Sequence, residues 1–373
     1  MKAQNKEGSS WFESCQIGVY ISGILAGALF AVLFPAAGLV GTLLQYVLPI
    51  LLFVTFLQVP LASFTKGVKI GRFILALLVG NFVFIPLLVF MLLWLGWFFL
   101  NHLWPLGHIA GGTYREGLFT TLIFYAVIVL CMPCVDYVVS FCRAARGDSA
   151  SLTAALPVLL IIQYGFFLYL FGKTIMVDQT FLEENRKLAG LLNIFLMVLL
   201  LPLCLAWLLQ KASGYNQTIA RSTQIIKRSV VIFTALALTV IAAYAGSEIF
   251  SNFEYNFACY NEFGRSDAET CGHRNLSGLF FYGILLYILF SCFAPFAGFL
   301  TAKLFKLMGK QAIALSFSLS TRNSLVILPL LLLVSAESEK RLVAAVVLTQ
   351  TFVELFAEPI YVHLIPLFVK KHF

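Results

Sequence analysis

Residues 312–334 read AIALSFSLSTRNSLVILPLLLLV, two apolar stretches joined at 320–324 by Ser-Thr-Arg-Asn-Ser. An apolar run of this length matches what a helix needs to cross a hydrocarbon core of about 30 Å. Yet Arg322 and Asn323 stand near its middle, with Ser316, Ser318, Ser320, Thr321 and Ser324 around them. Lipid offers no hydrogen bonds, so a polar break at membrane depth survives only where protein or a water-lined cavity covers it. The stretch is therefore predicted to be a transmembrane helix broken near Asn323. The hydroxyls can take over backbone partners where it unwinds, and Asn323 supplies both donors and an acceptor.

A second break lies upstream. The run that starts near residue 117 contains Cys131-Met132-Pro133-Cys134-Val135-Asp136. Proline removes a backbone donor and clashes with the preceding turn. An aspartate so close to it faces a cavity or a partner, because an ionisable group at membrane depth costs about 2.5–3.5 kcal/mol on insertion scales. Each break is followed by a helix with an intramembrane glutamine, Gln163 lying 29 residues after Cys134 and Gln350 lying 27 after Asn323.

The rest of the chain agrees with a membrane setting. It has 373 residues, of which 61% are hydrophobic and only 11% charged. Ordinary soluble domains carry about a quarter charged residues, and the mean hydropathy here is +0.93. A water-soluble fold is excluded. Ten helices are expected, near 16–37, 38–63, 71–98, 117–142, 149–172, 184–210, 227–249, 276–306, 310–335 and 340–369. The fold class is thus all-α and polytopic. It divides into two five-helix halves, 1–180 and 181–373, and an odd number per half makes the second enter the membrane inverted relative to the first. The fourth and ninth helices are the broken ones.

The net charge of +8 has a topological meaning. Sixteen Lys and Arg residues fall on the side of the N-terminus, among them Lys66, Lys69, Arg72, Arg143, Arg146, Lys303, Lys306 and Lys310, against eight on the other side. That bias puts both termini in the cytoplasm of a plasma or inner membrane, and no nucleic-acid patch is needed to explain it. The first apolar run is a full span and not a short hydrophobic core before a cleavage site, so no cleavable signal peptide is expected.

The titratable residues offer several candidates. Arg322 stays charged and needs a carboxylate or an anionic substrate, with Asp136 and Glu354 the available partners. The alternative is that residues 316–324 form a loop at the membrane edge from which Arg322 snorkels to headgroups. Gln350, Glu354 and Glu358 recur every four residues and share one helical face. Glu358, just before Pro359, is expected nearer the surface, and Glu354 deeper. Two roles stay open for Glu354: loading and releasing a proton, or a static ion pair with Arg322. Of the eight cysteines, Cys259 and Cys271 share a polar outer loop, roughly 250–275, where a disulfide and two separate thiols are both compatible with the spacing. The histidines form no ligand cluster, and no phosphate-binding glycine loop argues for an ATP-driven pump. Neither an enzyme nor a bound cofactor is expected. Gly23 and Gly27 have the spacing of a close helix contact.

Three motifs carry a family resemblance. Met132-Pro-Cys-Val-Asp-Tyr-Val-Val followed by Arg146-Gly-Asp-Ser, Thr321-Arg-Asn-Ser-Leu-Val-Ile-Leu-Pro, and Thr349-Gln-Thr-Phe-Val-Glu-Leu resemble the fourth-, ninth- and tenth-helix segments of arsenical-resistance arsenite permeases, in the bile acid/arsenite/riboflavin transporter superfamily. The resemblance implies a ten-helix inverted repeat whose fourth and ninth helices unwind and cross. It also implies export of arsenite, and of antimonite, in exchange for protons. The family's functional cysteine falls on Cys134, as the contact for the transported metalloid, and its functional glutamate on Glu354. Thiolates suit soft trivalent arsenic. Asn323 would shape the cavity, with Asp136, Arg322 and Gln350 in its charge network. Cys131, Glu358, Ser320, Ser324 and Gln163 would be accessory. A sodium-coupled symporter of an organic anion is the alternative in the same superfamily, and a receptor with this fold a third class. The outer loop, Glu358 and the 37 phenylalanines depart from the family pattern.

Overall fold

The computed structural model describes residues 4–34, 37–58, 71–102, 113–134, 137–176, 200–263, 276–322, 324–335 and 339–372. Every regular element among them is a helix. In chain order these are α1 (Gln4–Leu33), α2 (Ala37–Gln58), α3 (Gly71–Val79), a π-helical turn (Gly80–Phe84), α4 (Ile85–His102), α5 (Thr113–Cys131), α6 (Val138–Ala144) and α7 (Ser149–Met176). The second half holds α8 (Leu201–Ser213), α9 (Gln217–Arg228), α10 (Val230–Phe263), α11 (Leu276–Leu304), α12 (Gly309–Ser320), α13 (Ser324–Val334) and α14 (Lys340–His372). Asp136, Asn323 and Cys271 lie outside the described residues, as does the side chain of Cys259, and with them the Cys259–Cys271 pairing.

Among the described residues six helices are long and apolar enough to cross a membrane: Gln16–Leu33, Val40–Leu57, Gly71–Gly96, Val230–Ser247, Tyr282–Leu304 and Lys340–His372. Leu122–Cys131 and Ser149–Gln163 are shorter apolar pieces. Their outward faces carry Leu29, Phe90, Ile232 and Leu367, all strongly exposed. Water would not tolerate so much apolar surface, and a bilayer requires it. Phe30, Phe34, Phe90, Phe98, Phe124, Phe166, Phe293, Phe296, Phe352, Phe356 and Phe368 belong to the same exposed set, which accounts for much of the phenylalanine excess. The chain is a helical, multi-pass membrane protein.

Several expected boundaries move: α1 starts at Gln4 and not near 16, α9 adds a helix at Gln217–Arg228, and one loop shortens. The polar loop placed at 250–275 begins later, because α10 continues as helix to Phe263. No glycine or proline interrupts residues 250–263, and Gly264 is the first helix breaker.

Helix ends follow local chemistry. The chain turns out of α6 with Arg146 in the left-handed region at φ 61°, its N–H donating to Arg143 O (3.0 Å) while Gly147 N–H reaches back to Cys142 O (2.9 Å). The end of α11 repeats the arrangement with Lys306 at φ 50° and Leu307 N–H on Ala302 O (3.0 Å). These paired hydrogen bonds satisfy carbonyls that a helix end leaves open. The two turns are tied together by Asp148 N–H donating to Lys310 O (2.9 Å). Asp148 also caps α7, accepting from the Ser151 N–H (3.0 Å) and hydroxyl (2.6 Å).

Two groups of helices form. In one, α1 packs along α10 and α10 on α2, with α8 against α2. In the other, α11 packs on α12, α14 and α4, while α13 and α5 lie against α14. Contact between α10 and α14 joins the groups. The α1–α10 seam is close because of its glycines. A Cβ on Gly27 would sit 2.1 Å from Thr239 O, and one on Gly23 would sit 2.8 Å from Ala235 O. Gly27→Val is therefore expected to push the two helices apart and cost about 1–3 kcal/mol. A thermal unfolding midpoint lowered by several degrees in detergent checks this, while Gly18→Val, with open space around it, serves as the control that leaves it unchanged.

Candidate functional site

Both interruptions are real breaks in the helices, and they meet. The chain leaves helical geometry between Cys131 and Val138, and again at Thr321, before α13 begins at Ser324. Pro133 and Arg322 form an isolated antiparallel bridge, and Cys134 N–H donates to Thr321 O (3.3 Å). Pro133 has no N–H to give Val129 O, which accepts from Met132 N–H instead (3.2 Å), while the Cys134 bond gives Thr321 O a donor where its helix has ended. On the α12 side, the Ser320 hydroxyl donates to Ser316 O (2.6 Å) and the Thr321 hydroxyl to Phe317 O (2.9 Å). Such back-bonding competes with the next helical turn and helps end the helix. Ser324 holds the start of α13 to α14 through Thr351 (2.8 Å between hydroxyl oxygens).

Glu354 sits at the crossing. It is 1% exposed, and among the described residues three groups donate to its carboxylate. The Arg322 backbone N–H lies 3.1 Å and 3.0 Å from its two oxygens, the Tyr137 hydroxyl lies 2.8 Å from Oε1, and the Gln350 amide contacts Oε2. These donors replace the water that a carboxylate loses on burial. The two breaks and the last helix therefore converge on one carboxyl group.

Arg322 itself is 1% exposed, which removes the membrane-edge alternative. Its side chain turns away from Glu354, so no guanidinium–Glu354 hydrogen bond forms: Glu354 takes the backbone N–H instead. Nη1 donates to Leu130 O (3.2 Å) and Asn81 Oδ1 (3.4 Å). Nη2 donates to Asn81 Oδ1 (3.4 Å), Ser318 O (2.9 Å) and Leu319 O. The guanidinium also lies over the Phe290 ring, 5.3 Å from its centroid.

The remaining candidates spread around this centre. Cys134 is buried inside the α5–α6 break, and Cys131 ends α5 half-buried. Glu358 does not lie nearer the surface than Glu354. It is fully buried, and neither carboxylate oxygen has a hydrogen-bond partner among the described residues. Position four residues on from Glu354 keeps it on the inward face of α14, and that face outweighs its nearness to Pro359. Gln163 is buried in α7 with both amide atoms likewise unpartnered among the described residues, and no contact brings it to Glu354.

Two participants escape a scan for broken helices. Tyr137 stands three residues after Cys134 in the first polar break, but only the fold turns its hydroxyl to Glu354. Asn81 lies on the π-helical turn between α3 and α4, with Gly80 packed on Leu319 so closely that a Cβ would sit 2.8 Å from that side chain. Its amide donates to Leu77 O (3.0 Å), which aims the amide oxygen at Arg322. The signal available in the sequence is a lone Asn beside a Gly in an apolar span. π-Turns of this kind gather at functional sites.

The fold and site define a multi-pass helical membrane protein with a buried polar crossing at its centre. No protein-family model and no curated protein matches the chain.

Proposed function

We propose that the chain is a secondary transporter that exports arsenite, and antimonite with it, in exchange for protons, as a member of the arsenical-resistance permease family. The observation that carries this reading is the convergence of the Cys134 break, the Arg322 break and Glu354 on one buried crossing. Broken helices that meet at a buried polar centre are the usual construction of a carrier's substrate and coupling site. On this reading the halves 1–180 and 181–373 are inverted five-helix repeats, and the crossing helices are the fourth and ninth of ten. The excess of Lys and Arg on one side supports cytoplasmic termini in a cell membrane.

Cys134 is the contact for the metalloid. Its thiol displaces one hydroxyl of arsenous acid, forming a single S–As bond and releasing water, and hydrolysis reverses the step on the other side. One thiolate suits a soft centre and leaves the contact weak enough for release. Glu354 lies across the same junction, one hydrogen bond from the backbone that pairs with Cys134. It holds a proton when the cavity faces one side and yields it when substrate loads from the other.

The test is arsenite accumulation in cells with and without the protein, under imposed proton and sodium gradients. Lower accumulation with the protein present, abolished when the proton gradient is collapsed and indifferent to sodium, is the expected result. Flux that follows sodium and ignores protons would select a sodium-coupled symporter instead.

A further inference from the structure

The oxygens around the Arg322 guanidinium form an unusual set. Two, Ser318 O and Leu319 O, are among the last carbonyls of α12. A third, Leu130 O, belongs to the last turn of α5. The fourth is Asn81 Oδ1, oriented by the bond from its own amide to Leu77 O. Three separate elements thus aim neutral oxygens at one point. Helix ends leave their final carbonyls unsatisfied, and these carry the negative end of the helix dipole. In carriers built from broken helices, unwound carbonyls and half-helix C-terminal ends are the groups that hold a coupling cation. No carboxylate joins the set among the described residues.

We propose that Arg322 is a tethered cation, permanently filling a pocket of oxygens that would otherwise take an alkali-metal ion, and that this makes the carrier independent of sodium. The inference rests on the carrier reading given above and names the reason for its ion choice. A cation linked to the backbone cannot leave with the substrate, so it carries no gradient energy. It supplies the positive charge that holds the ends of α5 and α12 together while the exchangeable charge is left to Glu354. The fork of guanidinium donors suits several oxygens spread over two directions, where a lysine ammonium would satisfy fewer. Phe290 closes one face of the group. Burial of a charge among neutral oxygens also explains the cost of its loss: the carbonyls would be left buried without donors.

The experiment uses the purified full chain and Arg322→Ala, Arg322→Gln and Arg322→Lys. Thermal stability is measured in choline, sodium, potassium and methylguanidinium chloride at equal ionic strength, and arsenite flux is measured in proteoliposomes under the same salts. Wild type is expected to respond equally to sodium and choline. R322A should lose about 5–10 °C and regain at least half of it with millimolar methylguanidinium or with sodium, and R322Q should acquire the same sodium response. R322K should fall between wild type and R322A and ignore sodium. Should R322A fail to yield folded protein, R322Q and R322K carry the test alone. Sodium-specific stabilisation of the wild type would overturn the proposal, as would R322A and R322Q responding to no cation beyond choline. Stability rescue is read without transport, so rescue with no arsenite flux from any variant or the wild type would overturn the arsenite reading and leave the tethered cation standing.

Discussion

Glu354→Gln is expected to abolish proton-driven arsenite exchange in membrane vesicles while the protein still folds and reaches the membrane. The substitution keeps the length and nearly the volume of the side chain, so the packing of α14 against α5 and α13 is retained. What changes is the pattern of donors and acceptors. The carboxylate accepts from Arg322 N–H, from the Tyr137 hydroxyl and from the Gln350 amide. An amide accepts at one atom and brings two donors of its own, so at least one of the present donors loses its acceptor. A buried donor left unpaired costs about 1–3 kcal/mol, which predicts a measurable but survivable fall in thermal stability. Loss of exchange follows from a different cause: an amide has no proton to trade. Arsenite binding through Cys134 should persist in this variant, because on the proposed reading the thiol holds the metalloid and the carboxyl group trades the proton. Glu354→Asp keeps the charge but withdraws the carboxylate from its donors, so it should retain a reduced, still pH-driven flux. Undiminished pH-driven flux in Glu354→Gln would sink the coupling role.

Cys134→Ser is expected to lower arsenite flux by at least about tenfold, the discrimination a single well-placed polar contact commonly supplies. The thiol lies inside the α5–α6 break, with its backbone N–H already given to Thr321. A hydroxyl occupies similar space but is a hard oxygen, poorly matched to trivalent arsenic. Cys131→Ser is the internal comparison. Its side chain sits at the end of α5, outside the bridge with Thr321–Arg322, and the effect on flux should be several times smaller. Equal loss in both would point to a two-thiol site. Arsenite flux unchanged in Cys134→Ser, with Glu354→Gln still inactive, would keep a proton-coupled arsenite carrier but remove Cys134 as the metalloid contact.

Much of this architecture was legible beforehand for a physical reason. Hydrocarbon imposes a near-binary requirement on each span, so apolar length alone places α11, α14 and the continuous run from α3 through α4 to within a few residues, though not the π-turn inside that run. A polar residue inside such a run has few ways to survive, which made Cys134, Arg322 and Glu354 visible one by one. Periodicity likewise put Gln350, Glu354 and Glu358 on one face. Asn81 was harder to see, since a single amide in an apolar helix equally serves a neighbouring carbonyl, and here it serves both that carbonyl and Arg322. Glu358 was misjudged because sequence distance from a proline says little about depth once the helix runs on unbroken through Pro359.

By itself, then, the sequence determined that the chain is helical, that it crosses a membrane many times, and where two of its helices must break. These follow from local free energies: the transfer of each residue to hydrocarbon and the lost hydrogen bonds at Pro133. Only the tertiary structure decided that the breaks pair with each other through Pro133 and Arg322, that the Arg322 side chain points away from Glu354, and that Tyr137 points toward it. Those are choices among partners far apart in the chain, settled by which donors and acceptors can be satisfied simultaneously in a space without water.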